Sequence, residues 1–223
     1  YISILLNISS DHLDRYKNIK NYAQEKKKIL NNKKNSFNIV SVDDFFSHKF
    51  YSFAKNAKNI PISTIKPIRK GIYIVNNSIH DNYFYKHQII PLKNISQPLF
   101  GKFNLQNVLA TYVVSRILKL DIKNFLKLIS SFVGLSHRLE KVFENEKILI
   151  INNSKSTNLD SMLNSISNYK NIYLILGGRI KEKNFTSLVN YKKNILKCFI
   201  IGESADFIYD QIYKFIDSKI SLD

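Results

Sequence analysis

An α/β fold in two parts, with a mainly parallel sheet, is what this sequence predicts, and three observations carry that reading. The chain opens on a β-branched, apolar run, Tyr1 to Asn7, which breaks at a polar turn and passes into a helical pattern. After residue 136, strand-like and helix-like segments alternate strictly, the pattern of a parallel sheet with helices packed on its faces. Between these regions the pattern changes at Val133-Gly134-Leu135-Ser136, which divides the chain into domains 1–134 and 135–223.

In order, the turn Ser9-Ser10-Asp11-His12 follows the opening strand, and Tyr22, Ala23, Lys26 and Ile29 then fall at helical spacing between Ile19 and Leu30. Phe37 to Val42 reads as a strand, with Asp43-Asp44 opening a brief helix. Lys58 to Pro91 holds three of the four prolines and short β-type runs at Ile72 to Val75 and Tyr83 to Tyr85, so a small antiparallel portion is expected there. Leu105, Val108, Leu109 and Tyr112 predict an amphipathic helix reaching about Leu120, and a second helix runs from Ile122 to Phe132. Past the junction, Lys147 to Asn152 is a strand and Leu159 to Ile166 a helix. Asn171 to Leu176 is the next strand, ending in Gly177-Gly178, and Lys197 to Ile201 is a third. The final helix is expected to bury Ile208, Ile212, Phe215 and Ile216. Ligands of such sheets sit beyond the carboxyl ends of the strands, so the loops after Asn152, Leu176 and Ile201 are where function is expected.

Composition excludes several classes. With 44% hydrophobic and 13% aromatic residues among 223, the chain can build an ordinary core, and disorder is excluded. The lone cysteine, Cys198, allows neither an internal disulfide nor a Cys-based zinc site; with no signal-type start, it points to a reducing, cytoplasmic setting. Apolar runs such as Ile148 to Ile151 and Ile172 to Leu176 are far below the roughly 20 residues that cross a bilayer, so no membrane partner is expected. The net charge of +17 would suggest a polyanion, but its lysines are scattered along the chain among abundant Asn and Ile. An AT-rich coding sequence yields the same bias, so no nucleic-acid partner is assigned. Opening inside a strand, the chain reads as a fragment of something longer.

Three clusters carry chemistry. Asn152-Asn153-Ser154-Lys155-Ser156-Thr157-Asn158 gathers hydroxyls and an ammonium group at the positive end of a helix, either to bind an anion or simply to cap the helix. It is not a Walker loop, since no Gly-x-x-x-x-Gly-Lys-Ser/Thr occurs. Asp11, His12 and Asp14 set an imidazole between carboxylates, suited to a metal or to a solvated turn. His137-Arg138 offers a phosphate clamp or, alternatively, a surface salt bridge with Glu140.

Taken together, these pieces resemble the Mur ligases, ATP-dependent amino-acid-adding enzymes of peptidoglycan synthesis. Asn7-Ile8-Ser9-Ser10-Asp11-His12-Leu13-Asp14-Arg15-Tyr16 followed by Tyr22-x-x-x-Lys26 is similar to their central-domain signature, and Gly101 to Ala110 to their Gly-x-His-Asn-x-x-Asn-x-x-Ala helix start. Gly134 to Glu140, Asn152 to Asn158 and Leu174 to Phe185 resemble the branch that adds D-glutamate to UDP-N-acetylmuramoyl-L-alanine. The resemblance implies an incomplete central ATPase domain followed by a Rossmann-like C-terminal domain. The UDP-binding domain, P-loop and first-magnesium glutamate would precede Tyr1, and a last substrate-binding strand would follow Asp223, leaving this piece inactive alone. It further implies ATP and Mg2+ as cofactors, with His12 and a carbamylated Lys26 at the second magnesium ion. Asn107 would contact adenine, Arg138 the γ-phosphate, Lys155 and Thr157 the nucleotide and D-glutamate, and Lys181 a D-glutamate carboxylate. Catalysis would rest on Lys26, His12 and Arg138, in a cytoplasmic monomer. Three departures are visible: Asn153 stands where the family has an aspartate facing the nucleotide, Phe103 where it has histidine, and Arg179-Ile180 where it has Asp-Gly. The alternatives are a sister Mur or folylpolyglutamate-type ligase and, from another class, a basic nucleic-acid-binding protein.

Overall fold

The computed structural model describes residues 1–9, 13–99, 101–156, 158–179 and 184–221. The chain divides into two compact units, Tyr1–Gly134 and Leu135–Asp223.

In the first unit the opening apolar run forms β1 (Ile2–Leu5), and two helices, α1 (Leu13–Tyr16) and α2 (Ile19–Lys27), lead to a parallel neighbour, β2 (Phe37–Ser41). Asn18 starts α2 by accepting the Asn21 N–H at 2.9 Å, and Asp44 starts α3 (Phe45–Tyr51) by accepting the Ser47 N–H at the same distance. Two further parallel strands follow, β3 (Lys58–Ser63) and β4 (Ile72–Val75), before the sheet turns antiparallel at β5 (Ser78–Asp81) and β6 (Gln88–Pro91). Asn76 and Asn77 close the two-residue turn between β4 and β5 with φ of 49° and 53°, a left-handed backbone that asparagine tolerates and that suits the twist of a hairpin. Strand order is β1-β2-β3-β4-β5-β6.

Helices α4 (Lys102–Ile117) and α5 (Ile122–Ser131) cover one face of this sheet. Ile39 packs into the cluster that contains Val108, Leu109 and Tyr112 of α4, whereas its neighbour Val40 joins Tyr22 and Ala23 of α2 and Phe50 of α3. Successive side chains of a strand point to opposite faces, and β2 is therefore covered on both. The antiparallel portion is narrower than expected, because β3 runs parallel to β2. Tyr83 to Tyr85 is not a strand: the Asp81 carboxylate accepts the N–H groups of Tyr83 and Phe84, each at 2.9 Å, and so withdraws them from the ladder. Lys119, left-handed at φ 58°, follows the end of α4 at Ile117, short of Leu120.

The second unit contains β7 (Glu140–Glu144), β8 (Leu149–Asn152), α6 (Leu159–Ile166), β9 (Ile172–Gly177), β10 (Ile195–Ile201), α7 (Ala205–Ile212) and β11 (Ser218–Ile220). The parallel sheet has the order β11-β10-β9. The strand expected at Lys147 to Asn152 is not part of it but pairs antiparallel with β7, a strand absent from the sequence reading. Asn145 is the local cause: its side chain accepts the N–H groups of Lys147 and Ile148 at 2.9 and 2.8 Å, folding the chain back before any crossover. Phe215 is exposed rather than buried, since α7 stops at Ile212 and the helical phase that would turn residue 215 inward is lost; Ile216 still reaches the core. Along β9 burial alternates, leaving Tyr173 and Ile175 exposed, so helices cover one face of that strand and not both. Among the described residues no helix is long and apolar enough to cross a membrane.

Candidate functional site

Because β1, β2 and β3 are parallel, their carboxyl ends lie at one edge of the sheet, and a polar network joins them there. The Asp43 carboxylate accepts from the Ser63 hydroxyl at 2.5 Å, the Thr64 N–H at 2.8 Å and the Thr64 hydroxyl at 2.9 Å. Gln106 of α4 donates from Nε2 to Asp43 Oδ2 and to Ser41 Oγ, both at 3.1 Å, while its Oε1 accepts from Asn7 Nδ2 at 3.1 Å. Burial by itself would raise the Asp43 pKa, but hydrogen bonds from Ser63, the Thr64 N–H, Gln106 and the Thr64 hydroxyl hold it below the usual carboxylate range. A depressed pKa stabilises the fold fully above the unfolded value of about 3.9 and ceases to do so as pH falls through the folded value. Thermal melts between about pH 2 and 6 are therefore expected to show a shallower acid limb for Asp43→Asn than for the wild type; parallel limbs would remove Asp43 from this role.

Of the residues expected at the metal, His12 lies outside the described residues. Lys26 is exposed on α2, with Nζ 5.1 Å from the centre of the Tyr22 ring. It lines a shallow groove with Asn7, Tyr22 and Glu25. Among the described residues no group of three or more His, Cys, Asp and Glu is gathered as for a metal ion. Lys26 as an ammonium cannot serve as a ligand, and only its carbamate would fit one. Asn107 is exposed on α4, its Nδ2 3.4 Å from Asn104 Oδ1.

In the second unit three bonds stitch two loops together. The Lys155 N–H donates to His137 O at 2.9 Å, the Leu139 N–H donates to Asn153 Oδ1 at 3.2 Å, and Asn152 Nδ2 meets His137 Nδ1 at 2.9 Å. His137 and Leu139, on either side of Arg138, take left-handed φ of 65° and 49°, a conformation that costs L side chains energy and that these bonds offset. Arg138, Asn153 and Lys155 are thus brought to one place, with the Arg138 and Lys155 side chains exposed and α6 beginning just beyond, where Asn158 accepts the Ser161 N–H. Two cations beside a helix start favour an anion. Glu140 turns to His137, accepting its N–H at 2.8 Å with Oε2 3.8 Å from the ring Nδ1, so the alternative contact with Glu140 is made by His137 rather than by Arg138. Asn153 is occupied by the protein itself, since its Nδ2 also donates to Ser165 Oγ at 2.8 Å. Thr157, Ile180 and Lys181 lie outside the described residues.

Residues 1–115 match the Mur ligase middle domain. The chain belongs to the Mur ligase family. Among curated Mur ligases, it is 35% identical over 224 residues to the UDP-N-acetylmuramoylalanine–D-glutamate ligase of Rickettsia bellii (strain RML369-C), covering 98% of this chain and 49% of that protein. The enzyme of the same name from Clostridioides difficile (strain 630) is 32% identical, with coverage of 93% and 46%. The chain spans about half the length of the curated relatives it matches. Among solved structures, MurF from Acinetobacter baumannii superposes with a TM-score of 0.69 at 16% identity, covering 99% of this chain and 50% of that one. A pseudomurein peptide ligase type C from Methanothermus fervidus gives 0.66 at 15%, covering 99% and 52%. At such identities the likeness shows the Mur ligase fold alone. The middle-domain match takes in Asn7, Lys26, Asp43, Gln106 and Asn107. Sequence reasoning singled out neither Asp43 nor Gln106 as a site residue, although one signal was available: Gln106 sits three and seven positions before Leu109 and Val113, on the apolar face of α4, where a polar side chain needs a buried partner.

Proposed function

We propose that this chain is part of an ATP-dependent ligase that joins D-glutamate to UDP-N-acetylmuramoyl-L-alanine, a cytoplasmic monomer in which residues 1–134 belong to the central domain and 135–223 to the C-terminal domain. The reading is supported by identity to D-glutamate ligases along 98% of the chain, and the single structural observation that carries it is the stitched turn presenting Arg138 and Lys155 beside α6. ATP phosphorylates the substrate carboxyl, and the D-glutamate amine then displaces phosphate from the acyl phosphate to form an amide. Phosphoryl transfer makes little covalent demand on a protein and depends on positioning and on offsetting negative charge. Arg138 offers a planar fork of donors to the γ-phosphate, and Lys155 a compact charge to nucleotide or amino acid. Asn107 lies on α4 as the adenine contact, and Thr157 and Lys181 complete the D-glutamate site. Mg2+ supplies charge neutralisation between phosphoryl groups when bound, with His12 and carbamylated Lys26 as its holders.

The test is phosphate release by the complete reading frame that encodes this chain, with ATP, Mg2+, UDP-N-acetylmuramoyl-L-alanine and D-glutamate. Turnover that requires D-glutamate is expected. Lys181→Ala is expected to raise the KM for D-glutamate by at least about tenfold, the loss of one charge-assisted hydrogen bond, while the KM for ATP changes little. An unchanged D-glutamate KM would refute the Lys181 assignment, and turnover with a different amino acid in place of D-glutamate would assign a sister specificity.

A further inference from the structure

We propose that Gln106 is a positioning residue of the ligase site: its amide holds the segment that follows β1 against α4 and the ends of β2 and β3, setting Asn7, and the groove that Asn7 lines with Lys26, in register with Asn107. The role rests on the ligase reading above; the geometry does not. Gln106 is 2% exposed and Ser41 is fully buried, so water does not replace the bond between them, whereas Asn7 is exposed and is held in place by the amide rather than by burial. Its three bonds reach two segments: Asn7 after β1, and the end of β2, where Ser41 and Asp43 are two residues apart. Asp43 in turn grips Ser63 and Thr64 at the end of β3. One amide therefore ties the carboxyl ends of three parallel strands to the helix that covers them.

The side-chain chemistry explains why an amide is required. An amide nitrogen has two N–H donors, here used on Ser41 and Asp43, and its carbonyl is an acceptor, here used by Asn7. Leucine would suit the apolar face that Gln106 shares with Leu109 and Val113, yet would leave Asn7 and Ser41 without this partner. Asn7 also lines the groove that contains Lys26 and Tyr22. Movement of Asn7 therefore changes the groove in which the proposed carbamate stands.

Gln106→Glu turns this into a pH-dependent switch. Of the three partners of Gln106 only Asp43 ionises. Burial and the adjacent Asp43 carboxylate raise the pKa of a glutamic acid placed there. Below that pKa the acid donates its O–H to Asp43 and accepts from Asn7; above it two carboxylates face each other and the tie opens.

The experiment measures D-glutamate-dependent phosphate release by the complete reading frame, together with amide hydrogen exchange of a peptide covering residues 3–9. Gln106→Glu, whose single O–H serves Asp43 and gives up the Ser41 bond, is expected to stay within about threefold of wild type near about pH 5.5 and to fall at least about tenfold further, relative to wild type at equal pH, by about pH 8, with the KM for D-glutamate within about twofold. Exchange across 3–9 should accelerate over the same pH range, while a peptide from β10 in the other unit stays at the wild-type rate. Gln106→Leu should be fast-exchanging and slow in turnover at every pH. If Gln106→Leu does not fold, the response of Gln106→Glu within one protein still decides. Wild-type exchange in 3–9 for Gln106→Glu at both pH values would overturn the proposal, as would an equal loss at both. Loosening of 3–9 in a protein that ligates no D-glutamate in wild-type form would sink the ligase reading and uphold the tie.

Discussion

Lys26→Ala is expected to abolish ligation by the complete reading frame, lowering kcat/KM by at least about a thousandfold. In the proposed site a neutral Lys26 amine adds to CO2; the new N–C bond makes a carbamate and releases a proton to solvent. A cation on α2 thereby becomes a two-oxygen anion of the kind magnesium prefers. The surroundings of Lys26 permit this chemistry. The side chain is exposed and so open to dissolved CO2, while the buried Tyr22 ring, 5.1 Å from Nζ, keeps the stem beside the groove that Asn7 and Glu25 line. Alanine at this position keeps the helix, since Lys26 packs no core, and removes only the oxygen ligand. The measurement is phosphate release with and without added formate, acetate or propionate, which are expected to restore part of the rate by supplying the missing oxygens. Full activity of Lys26→Ala without such additives would eliminate the carbamate.

Gly177→Ala is expected to destabilise the second unit by at least about 3 kcal/mol, at the upper end of overpacking effects and a large share of the 5–15 kcal/mol that ordinarily holds a domain. Gly177 is the last residue of β9 and stands opposite Ile201 in the ladder with β10. A Cβ there would lie 1.9 Å from the Ile201 carbonyl oxygen and 2.8 Å from its carbonyl carbon. These are backbone atoms, which no rotamer change can move aside. Relief would require β9 and β10 to part at this end, breaking the adjacent bond from the Gly178 N–H to Ile201 O at 3.1 Å. The effect should be read from chemical denaturation followed by hydrogen exchange in β10, with the exchange of β2 in the first unit as the internal reference. Wild-type protection of β10 in Gly177→Ala would mean that the strands approach less closely than described.

Segments whose identity depends on their own period were legible. Tyr22 and Ala23 of α2, Leu105 through Tyr112 of α4 and the apolar set of α6 repeat at helical spacing, and side chains three and four apart share a helix face whatever lies elsewhere in the chain. The strands at 2–5, 37–41, 72–75 and 195–201 were readable for the same reason. The mainly parallel α/β class was legible too, and the blocks around His12, Asn107, Arg138 and Lys155, from which the site is proposed, are contiguous stretches that can be read without the fold.

Pairing was decided elsewhere. Nothing in Lys147 to Asn152 states that its partner is Glu140–Glu144; a side-chain acceptor at Asn145 closes that hairpin, and the same trick at Asp81 removes Tyr83 to Tyr85 from the sheet. Asn153 read in sequence as a departure at a nucleotide contact, and in the fold its two ends hold Ser165 and the Leu139 backbone, so that it shapes the turn carrying Arg138. Gln106 and Asn7 are 99 positions apart and meet only because β1 and α4 reach the same edge of the sheet. Periodicity is a property of a few consecutive residues and is written in the chain, whereas a hydrogen bond between distant segments exists only once the sheet has chosen its order, and that order is set by the summed burial of both faces rather than by any one segment.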